Sequence, residues 1–199
     1  MSSDLQRTMG LRERKKAKTI AAVQMHALRL FRELGYQATT VEQIAEAAEI
    51  SPSTFFRYFS TKEDVLVKDN YDPLIIAAFE NQPSHLSPLQ AVRNAMISEI
   101  GNLSADELAM VSERNQLMMT VPELRAATLN NMFQTMHMIS EMVAKRVGRN
   151  PDDIAVRTFS GAILGVFTSV MLSFADNPDA DFAGMLEEAL NKLEAGLPL

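Results

Sequence analysis

Five side chains able to make hydrogen bonds to a polyanion lie within eight residues of one another, near position 55. They are Ser51, Ser53, Thr54, Arg57 and Tyr58. The short hydroxyl side chains of Ser and Thr reach phosphates and base edges. A guanidinium binds guanine or phosphate, and a phenol stacks on bases or donates to phosphate. The segment therefore predicts a surface that contacts nucleic acid.

Positive charge is concentrated at the amino-terminal end of the chain. The protein has 199 residues and a formal net charge of −6, but residues 1–70 carry +2 and the remainder −8. This asymmetry predicts an anionic partner, with Arg14, Lys15 and Lys18 in a basic arm that contacts the minor groove or phosphates. A solvated tail that only aids solubility is the alternative.

The sequence offers no group suited to catalysis or to metal binding. Cysteine is absent, which excludes disulfides, thiol catalysis and cysteine-ligated metals. The histidines at positions 26, 85 and 137 have no carboxylate at metal-ligand spacing. We therefore expect no catalytic residue, metal or cofactor. Because no apolar leader is visible and the uncharged stretch 160–175 is short, we expect a cytoplasmic protein without membrane contact.

These side chains must be positioned by helices. Apolar residues recur at helical spacing throughout and no long stretch alternates with a period of two, which predicts an all-α protein of about nine helices. A long first helix ends at Gly35. Thr40 begins a capping box for a second helix, and Ser51 with Pro52 opens a third after a three-residue turn. Two short helices joined in this way against a longer one form a helix-turn-helix.

A fourth helix is predicted from Thr61 to about Glu80, ahead of a segment rich in Asn, Pro and Ser. Five further helices are indicated beyond it by their start signals, among them Ser87-Pro88, Pro122 and Asp152-Asp153. The pattern thus predicts two parts separated near residue 80.

The segment 15–66, above all LFRELGYQATTVEQIAEAAEISPSTFFRYFSTKEDVL, resembles the DNA-binding domain of the TetR family of transcriptional regulators. The resemblance implies a helix-turn-helix head with its basic arm over residues 1–60. It also implies a larger helical ligand-binding and dimerisation domain over residues 61–199, with the helix 61–80 as connector. A homodimer on a pseudo-palindromic operator in double-stranded DNA is the arrangement to expect.

Carried across residue by residue, the resemblance implies that Thr40 caps its helix against a phosphate and that Lys62 binds phosphate. It implies that the recognition helix enters the major groove with Ser51, Ser53 and Thr54. Two positions depart from the family pattern. Glu49 stands where members usually have Gly, so a left-handed conformation there would cost about 1 kcal/mol, and Phe56 replaces a frequent Tyr, which removes a hydroxyl.

Methionine is abundant, with 13 residues, and seven of them lie between positions 110 and 142. Methionine adapts to irregular shapes and suits apolar cavities, although ordinary core filling is the better explanation for any single Met. As a cluster these residues predict a pocket for a small, largely apolar effector. Its candidate residues are Met118, Met119, Met132, Met136, Phe133, His137, Asn115 and Phe167.

Small residues four apart on the predicted helix 152–175 permit close helix approach. Together with the last helix they resemble the two-fold four-helix interface of the family. The candidate interface residues are Gly161, Gly165, Ser169, Leu186 and Leu190. Packing inside one chain is the alternative.

The sequence as a whole predicts a homodimeric DNA-binding transcriptional regulator, a repressor that a small effector releases from its operator. The competing interpretation is an all-helical small-molecule-binding protein or enzyme whose DNA-binding head is not functional. DNA affinity separates the two, because only the first requires it.

Overall fold

A computed structural model describes residues 11–68, 72–177 and 180–198, with the backbone alone for residues 11–14, 72 and 73. Within these ranges the chain forms ten helices and no strand, which confirms the all-α prediction. They are α1 Leu11–Leu34, α2 Val41–Ala47, α3 Pro52–Tyr58, α4 Asp64–Val67, α5 Asp72–Glu80, α6 Pro88–Gly101, α7 Ala105–Thr120, α8 Pro122–Val147, α9 Ile154–Asp176 and α10 Phe182–Glu194.

Helix starts follow the local capping chemistry of the sequence. Thr40 and Ser87 each open a helix with a complete capping box. In each box the hydroxyl accepts the backbone N–H of the Gln three positions later, and the side chain of that Gln accepts the backbone N–H of the cap residue. Ser51 caps α3 with Pro52 in its first turn, and Asp153 caps α9. The predicted helix boundaries at these four positions are therefore confirmed.

The predicted continuous helix 61–80 is wrong. The structure has two helices there, α4 and α5, and the backbone at Lys68 is extended (φ −72°, ψ 122°). Pro73, near the start of α5, explains part of this break. Proline lacks the N–H that a continuing helix needs, and its ring collides with the carbonyl of the residue four positions earlier.

The described residues group into two compact units. The first contains 11–68 and 109–127, and the second contains 72–108, 128–177 and 180–198. In the first unit α1 packs against α2 and α4, and α2 packs against α3. The end of α7 and the start of α8 also belong to it, since Arg32 lies 3.8 Å from Glu113 and Gln37 donates to Glu123 at 2.6 Å. The predicted division at residues 60 and 61 stays a prediction.

In the second unit α5 packs on α6, and α10 packs on both α6 and α9. Arg146 of α8 holds the loop after α5 by donating to the carbonyl oxygens of Gln82, Pro83 and Leu86. Helix α9 is long and apolar enough to cross a membrane by length and composition alone. These two properties do not distinguish a membrane span from a core or interface helix, so α9 is not assigned as a membrane span on this basis.

Candidate nucleic-acid interface

The helix-turn-helix is closed by a tight turn between α2 and α3. Ala48 and Ile50 donate their backbone N–H groups to Ile44 and Ala45, and Glu49 takes the left-handed conformation with φ +55°. For a residue with a Cβ, that conformation is unfavourable by about 1–2 kcal/mol. The turn therefore keeps its geometry although the glycine expected by the family pattern is absent.

Aromatic packing anchors α3 to the head. Phe55 and Phe59 are buried, with ring centroids 5.4 Å apart, and Ile44 of α2 and Phe31 of α1 are buried in the same unit. One face of α3 is thereby fixed to the core. The opposite face is left to solvent at a defined orientation.

That outer face carries the polar residues predicted from the sequence. Ser51 accepts the backbone N–H of Thr54 at 3.1 Å, and its hydroxyl lies 2.9 Å from the hydroxyls of both Ser53 and Thr54. Arg57 is exposed, and its guanidinium lies 5.0 Å from the ring centroid of Tyr58. The structure thus brings three hydroxyls, a guanidinium and a phenol together on one short helix, which suits contact with a nucleic-acid groove.

Lys62 is engaged within the head. Its ammonium donates to the carbonyl oxygens of Tyr36 at 2.8 Å and Thr39 at 3.0 Å, and lies 4.0 Å from the ring centroid of Tyr36. An ammonium has three hydrogens, so two are used here and one remains for a phosphate. Lys62 therefore positions the loop that leads into the Thr40 cap, and its predicted phosphate contact stays a prediction.

Replacing Lys62 by methionine is expected to lower the free energy of unfolding by about 2 kcal/mol, because hydrogen bonds to a charged group are worth about 1.5–3 kcal/mol. The carbonyl oxygens of Tyr36 and Thr39 would each lose their charged donor. Urea denaturation monitored by circular dichroism measures the loss. Lys18→Met, on the exposed side of α1, is the control; equal stability of the two variants would contradict this role of Lys62.

Sequence reasoning missed the Tyr36–Glu63 pair. The Tyr36 hydroxyl donates a hydrogen bond to Glu63. Burial is the largest cause of the raised pKa of Tyr36, and the bond to Glu63 raises this pKa further. Burial also acts to raise the pKa of Glu63, but the Tyr36 and Thr61 hydroxyls and Lys62 outweigh it and lower that pKa. Burial opposes the shift at Asp64 too, where Lys68 and the Ser60 amide lower the pKa. The sequence feature that could have indicated this pair is the aromatic residue directly after Gly35.

The lowered pKa values of Glu63 and Asp64 predict acid-sensitive stability. A carboxylate whose pKa is depressed by folding stabilises the protein above its unfolded pKa, and that stabilisation is lost as the pH falls through the folded pKa. The ordinary values are 4.5 and 3.8, so the loss is expected below that range. Unfolding free energies of Glu63→Gln and Asp64→Asn should therefore fall less on acidification than those of the native chain and of the surface control Glu46→Gln.

The remaining predicted DNA contacts lie at the start of α1 and at the cap of α2. Lys15 and Lys18 are exposed, whereas the side chain of Arg14 is outside the described residues. Thr40 is exposed, and its hydroxyl accepts the Gln43 N–H at 3.2 Å, as a helix cap should. Its contact with phosphate stays a prediction.

The predicted effector residues are divided between the two units. Asn115, Met118 and Met119 belong to the first unit, where Asn115 and Met118 are buried. The others belong to the second unit: Met132, Met136, Phe133, His137 and Phe167. Phe133 is 72% exposed, His137 is paired with Glu141 at 3.4 Å, and Phe167 contacts the ring of Phe182 edge-on. A shared effector pocket stays a prediction.

The predicted dimer residues differ in their exposure to solvent. Gly165 and Ser169 are exposed and Gly161 is half-buried. Leu186 and Leu190 are fully buried within the chain, so the expectation that they line an interface needs correction. Because both side chains are fully buried and α10 packs on α6 and α9, they belong to the core of the second unit.

Comparison with known proteins finds relatives for both parts of the chain. The family of bacterial regulatory proteins of the tetR type matches residues 26–68, and the family described as MftR C-terminal domain matches residues 86–198. The HTH-type transcriptional regulator TcmR of Streptomyces glaucescens is 36% identical over 151 residues, which cover 72% of this chain and 67% of TcmR. MftR of Mycobacterium tuberculosis is 25% identical over 173 residues, covering 86% of this chain and 87% of MftR.

Solved structures show the same fold. The TetR-family repressor FadR of Thermus thermophilus, in complex with lauroyl-CoA, aligns with a TM-score of 0.55 and 24% identity over 90% of this chain and 95% of FadR. At this identity the likeness concerns the fold.

Proposed function

Because the chain belongs to the TetR family of transcriptional regulators and is a DNA-binding regulator, we propose that it is a homodimeric repressor that a small, largely apolar effector releases from its operator. The observation that carries the proposal is the outer face of α3. It presents Ser53 and Arg57 to solvent while Phe55 fixes the helix to the core of the head. A recognition helix needs this combination of a rigid mounting and exposed hydrogen-bonding groups.

The surface of α9 supports assembly into a dimer. A Cβ added at Gly161 or Gly165 would meet no heavy atom within 4 Å, so packing within the chain does not require glycine at either position. Ile154 and Leu172 of the same helix are 78% and 50% exposed. Apolar exposure beside small residues suits close approach by a second copy, and two such copies place two heads on the two halves of a palindromic site.

The effector is proposed from side-chain chemistry. Met132 and Met136 are half-buried on α8, the helix that also carries the exposed ring of Phe133. Flexible thioethers and an aromatic ring adapt to apolar ligands of varied shape. The fold relative FadR carries lauroyl-CoA in its complex, which encourages a search among molecules with an apolar chain or ring.

Two continuous helices could transmit the effect of effector binding to the DNA-binding head. Helices α7 and α8 each have residues in both units, and the first unit contains their joined ends, tied to α1 and its following loop by the Arg32–Glu113 and Gln37–Glu123 contacts. An effector releases DNA only if it binds one head arrangement better than the other, and a tenfold preference corresponds to about 1.4 kcal/mol.

We place this regulator in the cytoplasm and assign it no catalytic role. Among the described residues there is no group of three or more His, Asp or Glu side chains that could hold a metal ion. Regulation through binding alone accounts for the functional groups on α3.

The proposal is tested by selecting bound sequences from random DNA duplexes, followed by a salt titration on the selected sequence. An inverted-repeat consensus with steep salt dependence is expected, because a dimer neutralises phosphates on both half-sites. Sedimentation of native and Gly165→Arg proteins should show that the substitution yields monomers with weakened operator binding. A pool without a consensus would overturn the proposal and favour the small-molecule-binding or enzymatic interpretation.

A further inference from the structure

We propose that Phe56 is a specificity determinant that contacts the C5-methyl group of a thymine in each half-site of the operator. The inference rests on the proposed function and deepens it by naming the base feature that the recognition helix recognises through an apolar contact.

Phe56 is an apolar ring in an unusual place. It is 54% exposed, more than the other large apolar side chains described in the first unit, of which Met25 and Leu34 are the next most exposed. Because the buried Phe55 and Phe59 already occupy the core side of α3, the ring of Phe56 lies outside that core. Its exposure is unfavourable in water, so a contact that covers it would strengthen binding.

The ring is also held in place. It packs edge-on against Phe55, with centroids 5.4 Å apart and an interplanar angle of 84°, and Phe55 is itself fully buried. A ring supported by a rigid neighbour loses little conformational freedom when it binds. Phe56 therefore has the preorganisation that a specificity contact requires.

Its neighbours identify the surface that it faces. Phe56 follows Ser53 by three positions, which places both on adjacent turns of the same side of α3, and it precedes the exposed Arg57. Phosphates and most base edges are recognised by groups such as the Ser53 hydroxyl and the Arg57 guanidinium. A phenyl ring cannot donate or accept such bonds, and the apolar feature that the major groove offers is the thymine methyl.

The test uses the operator selected above, in which each thymine is replaced by uracil, one position at a time and in both half-sites. For the native chain, uracil at one position is expected to lower the affinity about fourfold per methyl group removed, and about 16-fold when both half-sites are changed. Phe56→Ala should bind the thymine operator about 16-fold more weakly and show no further loss of affinity with uracil at that position. Phe56→Leu, which keeps an apolar side chain, should retain a preference for thymine.

The control Leu34→Ala removes a similarly exposed apolar side chain from α1 and should leave operator affinity and all uracil effects unchanged. The inference is overturned if the native chain tolerates uracil at every position, or if Phe56→Ala keeps each uracil penalty. A uniform loss on all sequences would likewise overturn it, since that result indicates a sugar–phosphate contact. These outcomes are separate from failure of the proposed function, in which no operator is selected for the native chain.

Discussion

Arg57→Ala is expected to weaken operator binding by at least about 30-fold, since one arginine contact to a base is worth about 1–3 kcal/mol and a dimer carries two heads. The guanidinium is exposed on α3 and lies against the Tyr58 ring, which limits its freedom before DNA arrives. Fluorescence anisotropy on the selected operator measures the affinity. If Arg57 contacts a base, sequence preference should relax at one base pair in each half-site.

The matched control is Arg29→Ala. Arg29 pairs with Glu33 at 2.9 Å on α1, so its removal makes the same change in net charge away from the recognition helix. Its affinity should stay close to that of the native chain. Equal affinities for the two variants would mean that Arg57 contributes only general positive charge.

Phe55→Ala is expected to lower the free energy of unfolding by about 3–5 kcal/mol, the usual cost of deleting a fully buried aromatic ring. Phe55 has no exposed surface and contacts the rings of both Phe56 and Phe59. The cavity would lie directly beneath the outer face of α3. DNA binding should therefore fall together with stability, which urea denaturation and anisotropy measure in parallel.

The adjacent ring supplies the comparison. Phe56→Ala removes a side chain that is 54% exposed, so its cost in unfolding free energy is expected to be below about 1 kcal/mol. It should reduce DNA affinity while the head remains folded. If both variants destabilise the chain equally, α3 is not anchored through Phe55.

The sequence by itself determined where helices begin and which side chains α3 turns outward. Caps depend on bonds between residues two or three positions apart, so Thr40, Ser51 and Ser87 could be read directly. The helical period then separates Phe55 and Phe59 from Ser53 and Arg57. Such local information also carried the family resemblance, because its landmarks lie within one continuous segment.

Only the tertiary structure decided which partners distant residues meet. Lys62 reaches carbonyl oxygens that lie 23 and 26 positions earlier, and Tyr36 bonds to Glu63 across a similar separation. The same holds for Leu186 and Leu190, whose periodicity marks an apolar face but cannot say whether that face meets its own chain or a second copy. Capping is settled by neighbours in sequence, whereas burial and long-range bonds depend on which helix faces pack together in space.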